Sequence, residues 1–91
     1  MHIHFPQESP EYCGRDLVLV FTAVVDGTPV QCAITAEALE DHFGALSLRE
    51  SDLLSAFDSN RRAIEHAAQR MLHEVGGKPV LLHSGFFRFA E

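Results

Sequence analysis

One stretch limits what this chain can fold into more than any other: Asp16-Leu-Val-Leu-Val-Phe-Thr-Ala-Val-Val25. Its β-branched and aromatic residues predict a strand. Alternate residues of a strand point to opposite faces. The two sets here are Leu17, Leu19, Phe21, Ala23, Val25 and Val18, Val20, Thr22, Val24. Both are apolar, whereas an antiparallel sheet with one wet face shows polar residues in one set. This strand therefore asks for cover on both sides.

The residues around it predict its neighbours. Asp26-Gly27 is a turn pair whose glycine tolerates positive φ. Residues 29–34 then alternate again, with Val30, Cys32 and Ile34 on one face. The run from 16 to 34 reads as a β-hairpin, with a two-residue turn or a longer one that includes Pro29. Residues 2–5 alternate as a short strand, with Ile3 and Phe5 inward and His2 and His4 outward. Pro6, Ser9, Pro10 and Gly14 mark residues 6–14 as a loop.

Helical signals follow. Thr35 is a good N-cap, Glu37 suits the first turn and Gly44 is a stop, which predicts a short helix over 36–43. Ser47 and Glu50 have capping-box spacing. Leu53, Leu54, Phe57, Ile64, Ala68, Met71, Leu72 and Val75 form one helical stripe. The stripe stays in phase through Asp58-Ser59-Asn60, so one helix over about 49–75 is expected, with a break at that triplet as the alternative. Gly76-Gly77 ends it. Residues 79–83 read as a strand, and Phe86, Phe87 and Phe89 as an aromatic tail. The order is β-β-β-α-α-β in a single domain of 91 residues. The expected fold is α+β: an antiparallel sheet of about four strands packed on one short and one long helix.

Several short pieces in this order resemble a known family. They are Ile3-His4-Phe5, Val25-Asp26-Gly27, Val30 to Thr35, Glu37-Ala38-Leu39, His42-Phe43-Gly44, Ala56-Phe57, Asn60-Arg61, Ile64-Glu65 and Ala68. Together they look like DUF1488, a family of small uncharacterised proteobacterial proteins. The resemblance spans nearly the whole chain. It implies a compact α+β domain and brings no catalytic residues with it.

Charge narrows the classes of partner. Seven basic residues against 13 acidic ones leave a formal net charge of −6. The basic residues are scattered, which suits neither nucleic acid nor an anionic membrane surface. Six acids lie between Glu37 and Asp58 against one arginine, a solvated face or a docking surface for a basic partner. The N-terminus has no signal-peptide pattern and no window resembles a membrane span, so a cytoplasmic location is expected. Cys13 and Cys32 are then expected to be free thiols.

The titratable residues form no recognisable set. Of six histidines, His2 and His4 share a strand face, and only His83 could join them as metal ligands. His66 and His73 share the exposed side of the long helix. Cys32 is expected to be buried packing, and Cys13 is the better thiol for reactivity. Ser84-Gly85 lacks the setting of a nucleophile elbow, and Gly76-Gly77-Lys78 lacks the spacing of a phosphate loop. Arg61 falls in phase with the apolar stripe, so its stem is expected on the core and its guanidinium on loop carbonyls or Asp58. No catalytic, cofactor-binding or metal-ligating residue is assigned. The expectation is a non-catalytic interaction or accessory domain with an unidentified protein partner. The alternative is a small enzyme or ligand- or metal-binding protein whose site, drawn from Cys13, His42, Arg61 and His83, assembles only in three dimensions. Cover for the second face of strand 16–25 comes either from the aromatic tail or from a second copy of the chain.

Overall fold

The structure, a computed structural model, describes residues 1–88. Its elements run β1 (Ile3–His4), β2 (Glu11–Cys13), β3 (Val18–Val25), β4 (Thr28–Thr35), α1 (Ala36–His42), α2 (Glu50–Ser59), α3 (Arg61–Glu74), β5 (Val80–Leu82) and α4 (Ser84–Arg88). The fold is α+β, as the residue patterns predict.

β3 organises the sheet. One edge pairs with β4 along its whole length, from Val18↔Thr35 to Val25↔Thr28. The other edge pairs with β1 at Val25 and Val24 and with β2 at Val20, Leu19 and Val18. The hairpin turn is two residues long, Asp26 (φ 49) and Gly27 (φ 84), with the double positive φ that matches strand twist. Pro29 sits within β4 opposite Val24. It is tolerated there because β5 pairs only with Cys32–Ile34.

The sheet differs from the expected one in two ways. It has five strands, because Glu11–Cys13 lies in the predicted loop and yet pairs with β3. Three residues between Pro10 and Gly14 carry no periodic signal; their strand geometry comes from the partner edge. The sheet is also mixed, since β5 runs parallel to β4. Three helices carry the chain back to the starting end of the sheet, which is the kind of connection a parallel pair requires.

The helices cover one face. Leu19, Phe21, Ala23 and Val25 of β3 meet Leu39, Leu53, Phe57, Ile64, Ala68 and Leu72 in one buried cluster. Phe21 and Phe57 pack edge to face at 5.2 Å. Thr35 caps α1 as expected, its Oγ1 accepting from the Ala38 N–H at 3.0 Å. Ser47 does not cap α2. Its hydroxyl accepts from the Arg49 N–H at 3.1 Å and donates to Asp52 at 2.6 Å, so the turn before the helix takes it.

The long helix breaks at Asn60, which is the alternative of the two expectations. Asn60 leaves helical geometry (φ −122, ψ 21). Its side-chain amide donates to the carbonyls of Phe43 and Ala56, at 3.1 and 2.9 Å. An asparagine that bonds neighbouring backbone competes with the helical ladder. The stripe stays in phase because only one residue separates the two helices.

Leu17 carries φ 53, a left-handed conformation that costs an ordinary residue energy. It closes the turn between β2 and β3, and its carbonyl accepts the Ala36 N–H at 2.8 Å. Its side chain is 45% exposed, so little packing offsets the strain. Leu17→Gly is expected to stabilise the fold by about 0.5–1 kcal/mol, read as a higher urea midpoint. A lower midpoint would show that the side chain contributes more than the backbone loses.

Candidate functional site

Residues 5–10 arch away from β3 between its pairing with β1 and with β2, and Arg61 reaches into that arch from the start of α3. Its Nη1 and Nη2 both donate to the Glu8 carbonyl, the first at 3.0 Å. Nε stands 3.5 Å from Glu65 Oε2, and the guanidinium carbon lies 5.2 Å from the centre of the Phe57 ring. Gln7 also donates to Glu65, at 3.4 Å. The stem lies on the core and the planar head ties the loop down, as the phase of Arg61 predicts. The carbonyl is that of Glu8, and Asp58 is not involved. A concavity of about 390 Å³ opens beside this cluster, with Phe5, Thr22, Val30, Arg61 and Glu65 in its wall. Arg61 spends its donors on protein, so what the cluster does is position a loop.

A second cluster joins residues 43 apart in sequence. Ser84 opens α4 and is buried, and its hydroxyl donates to Asp41 Oδ2 at 2.7 Å. His42 Nε2 stands 3.1 Å from the Ser84 carbonyl and 3.2 Å from its Oγ. A carbonyl can only accept, so Nε2 carries a proton in the first of these contacts. A nucleophilic serine needs a base that takes its proton. Here the Ser84 proton already points at Asp41, and the nitrogen that would act as base is a donor. The three groups form a latch that holds α4 on α1. Phe87 completes it edge to face with Phe43 at 5.0 Å, and Arg70 lies 5.7 Å from the Phe86 ring. Sequence reading singled out His42 and Ser84 separately and missed their meeting, because no local pattern spans such a separation.

The other candidates lie apart. His2 and His4 face each other at 6.4 Å beside the Val24–Asp26 end of β3. His83 lies beyond β5, with β3 and β4 between it and them. Among the described residues, no three His, Cys, Asp or Glu side chains are placed to hold a metal ion. Cys13 and Cys32 are free thiols. Cys13 is half-buried, its Sγ 3.5 Å from Asp16 Oδ2. Cys32 is fully buried in the core. Burial pushes its pKa up from 9.0 to about 11, and a hydrogen bond from the Ala23 backbone pulls weakly the other way.

Among the described residues, no helix packs over the far face of the sheet. Its outward side chains are Val18, Val20, Thr22 and Val24 on β3, Pro29, Gln31, Ala33 and Thr35 on β4 and Leu81 on the edge strand β5, with His4 of β1 and Glu11 and Cys13 of β2 on the same side. Leu81 is 49% exposed. Phe86 and Phe87 of the aromatic tail do not cover this face, because they pack on the helical side. Phe89 lies outside the described residues.

Among the described residues, four helices on one side of a mixed sheet, with a mixed apolar and polar strand face on the other, define a small two-layer α+β domain. The chain belongs to DUF1488, a family of proteins of unknown function, whose model matches residues 3–82. It is similar to the crystal structure of a DUF1488 protein of unknown function from Shewanella loihica PV-4, with 27% identity over 89% of this chain and 92% of that one, at TM-score 0.72. No curated protein matches it. The sequence resemblance is thereby shown, and α4 lies beyond the matched span.

Two outcomes test this description. Arg61→Lys replaces a planar fork on one carbonyl by a single point donor, and is expected to cost roughly 1 kcal/mol in thermal or urea unfolding. An unchanged midpoint would show that the fork is not needed. For Cys32, a folded pKa raised above the unfolded one gives stability that is complete below pH 9.0 and falls as the pH rises towards 11. Cys32→Ala is expected to flatten stability across that window. At pH 8, iodoacetamide is expected to label Cys13 well before Cys32, read by intact mass; equal rates would contradict the burial.

Proposed function

We propose that this protein is a non-catalytic interaction domain, that its working surface is the open face of the sheet, and that the occupant of that face is a second copy of the chain. One observation supports this most: the outward side chains of β3, β4 and β5 include no charged group. The chain as a whole carries −6. Two such copies repel over most approaches. Glu11 of β2 and His4 of β1 also point to this side, beside Val20 and Val24, so the copies pair over the β3–β5 part of the face, where no charge is desolvated. Valine, alanine and leucine side chains also gain by leaving water, at about 25 cal/mol per Å² of apolar area. Stacked sheet faces are an ordinary way to build a core, with sheets about 10 Å apart. A two-fold pairing uses the same patch on both copies, which favours a surface that is uniform and neutral.

The reading extends to location. Free Cys13 and Cys32 suit a reducing, cytoplasmic setting. Among the described residues, no helix is long and apolar enough to cross a membrane.

Sedimentation equilibrium at micromolar concentration tests the pairing. The expected species has twice the chain mass. Thr22→Arg and Leu81→Asp place charges on exposed positions of the face, where they leave the fold intact by circular dichroism, and each is expected to return the single-chain mass. A wild type that sediments as a single chain at all accessible concentrations removes the second copy as occupant.

A further inference from the structure

The molecule has another apolar surface, at the end of the sheet away from the hairpin. Leu17 and Leu48 are each 45% exposed, and Leu46 nearby in the chain is 88% exposed. Leu17 and Leu48 line one concavity of about 330 Å³. That is near the lower end of the range for ligand-sized hollows, and large enough to seat one or two aliphatic side chains. Exposed leucines brought together in a hollow are a feature of interaction surfaces, unlike apolar residues scattered singly. Asp16, Glu37 and Glu40 line the same hollow, against one basic-capable side chain, His83. The charge of the rim is thus opposite to that of a cationic segment, and the net −6 of the chain adds attraction at long range.

We propose that this hollow docks a basic amphipathic segment of a partner protein, with an aliphatic side chain seated between Leu17 and Leu48 and its lysines or arginines against Asp16, Glu37 and Glu40. The leucines supply affinity, and the acids select the sign of the partner and speed its approach. Acidic segments of equal hydrophobicity are refused by the same rim, and neutral ones lose its attraction. Of the outward β3–β5 residues only Thr35 lines the hollow, so variants at Leu48 or Glu40 test docking, and variants at Thr22 or Leu81 test self-pairing, separately.

The test uses the full chain and a fluorescein-labelled 14-residue helix of lysine and leucine, followed by anisotropy at about 0.15 M salt. Two control peptides replace every lysine by glutamate or every leucine by serine. The lysine–leucine peptide is expected to bind, and both controls to bind at least tenfold more weakly. Leu48→Ser is expected to weaken binding about tenfold, and Glu40→Lys about fivefold. Glu74→Lys makes the same charge change at the other end of the sheet, where a Cβ on the nearby Gly77 would stand 3.2 Å from Val25 Cγ1. It is expected to leave binding within about twofold. Leu17→Gly separates docking from folding, since it should bind more weakly while being more stable. The proposal is overturned if Glu74→Lys weakens binding as much as Glu40→Lys, if Leu48→Ser and Leu17→Gly leave it unchanged, or if the lysine–leucine peptide does not bind at all.

Discussion

The fold depends on the pairing of β3 along both of its edges. β4 takes one edge for eight consecutive residue pairs, while β1 and β2 share the other. The inner side chains of β3 form the floor on which the helices settle. Phe21 and Phe57 meet there, and Leu19, Ala23 and Val25 extend the contact. The same placement has a cost. A central strand with helices on one side only must leave its other side to solvent or to another molecule. The helix-free face is thus a direct result of what holds the domain together, since most residues that make β3 a strong strand are apolar on both sides.

Around that core, polar side chains decide how segments join. Asn60 bonds the Phe43 and Ala56 carbonyls, which breaks a helix and ties the end of α1 to the end of α2. Arg61, the next residue, fastens the loop before β2 through Glu8. Ser84, Asp41 and His42 fasten α4. Each of these groups has the chemistry of a functional residue, and each is occupied with structure. An arginine with its donors on a carbonyl and a carboxylate has little left for an anion. A serine whose proton lies on a carboxylate is poorly set to attack. The surfaces on which docking is proposed are the open sheet face and the leucine hollow with its acidic rim.

The outline of the fold was legible because it is written in local patterns. Alternation marked β3 and β4, Asp26-Gly27 marked their turn, and Thr35 marked the start of α1. The stripe from Leu53 onward marked the buried side of α2 and α3. β2 was not legible, because three residues beside a proline carry no period of their own. The parallel direction of β5 was not legible either, since a strand's sequence does not state which way its partner runs. Arg61 was readable as a stem on the core from its phase alone. Its partner was not, because the Glu8 carbonyl belongs to a loop 53 residues away in the chain.

By itself, then, the sequence determined the strands and helices with strong periods, the α+β class, the acidic balance and the doubly apolar character of β3. Those depend on the order of neighbouring residues and on composition. Only the tertiary structure decided where Phe86 and Phe87 go. Phe86 and Phe87 are apolar enough for either face of the sheet, and the latch between Ser84, Asp41 and His42 draws them to the helical one. That latch, made by groups 43 residues apart, keeps Phe86 and Phe87 off the second face of β3. The need for cover was written in the strand, and the place left uncovered was set by hydrogen bonds that no local pattern records.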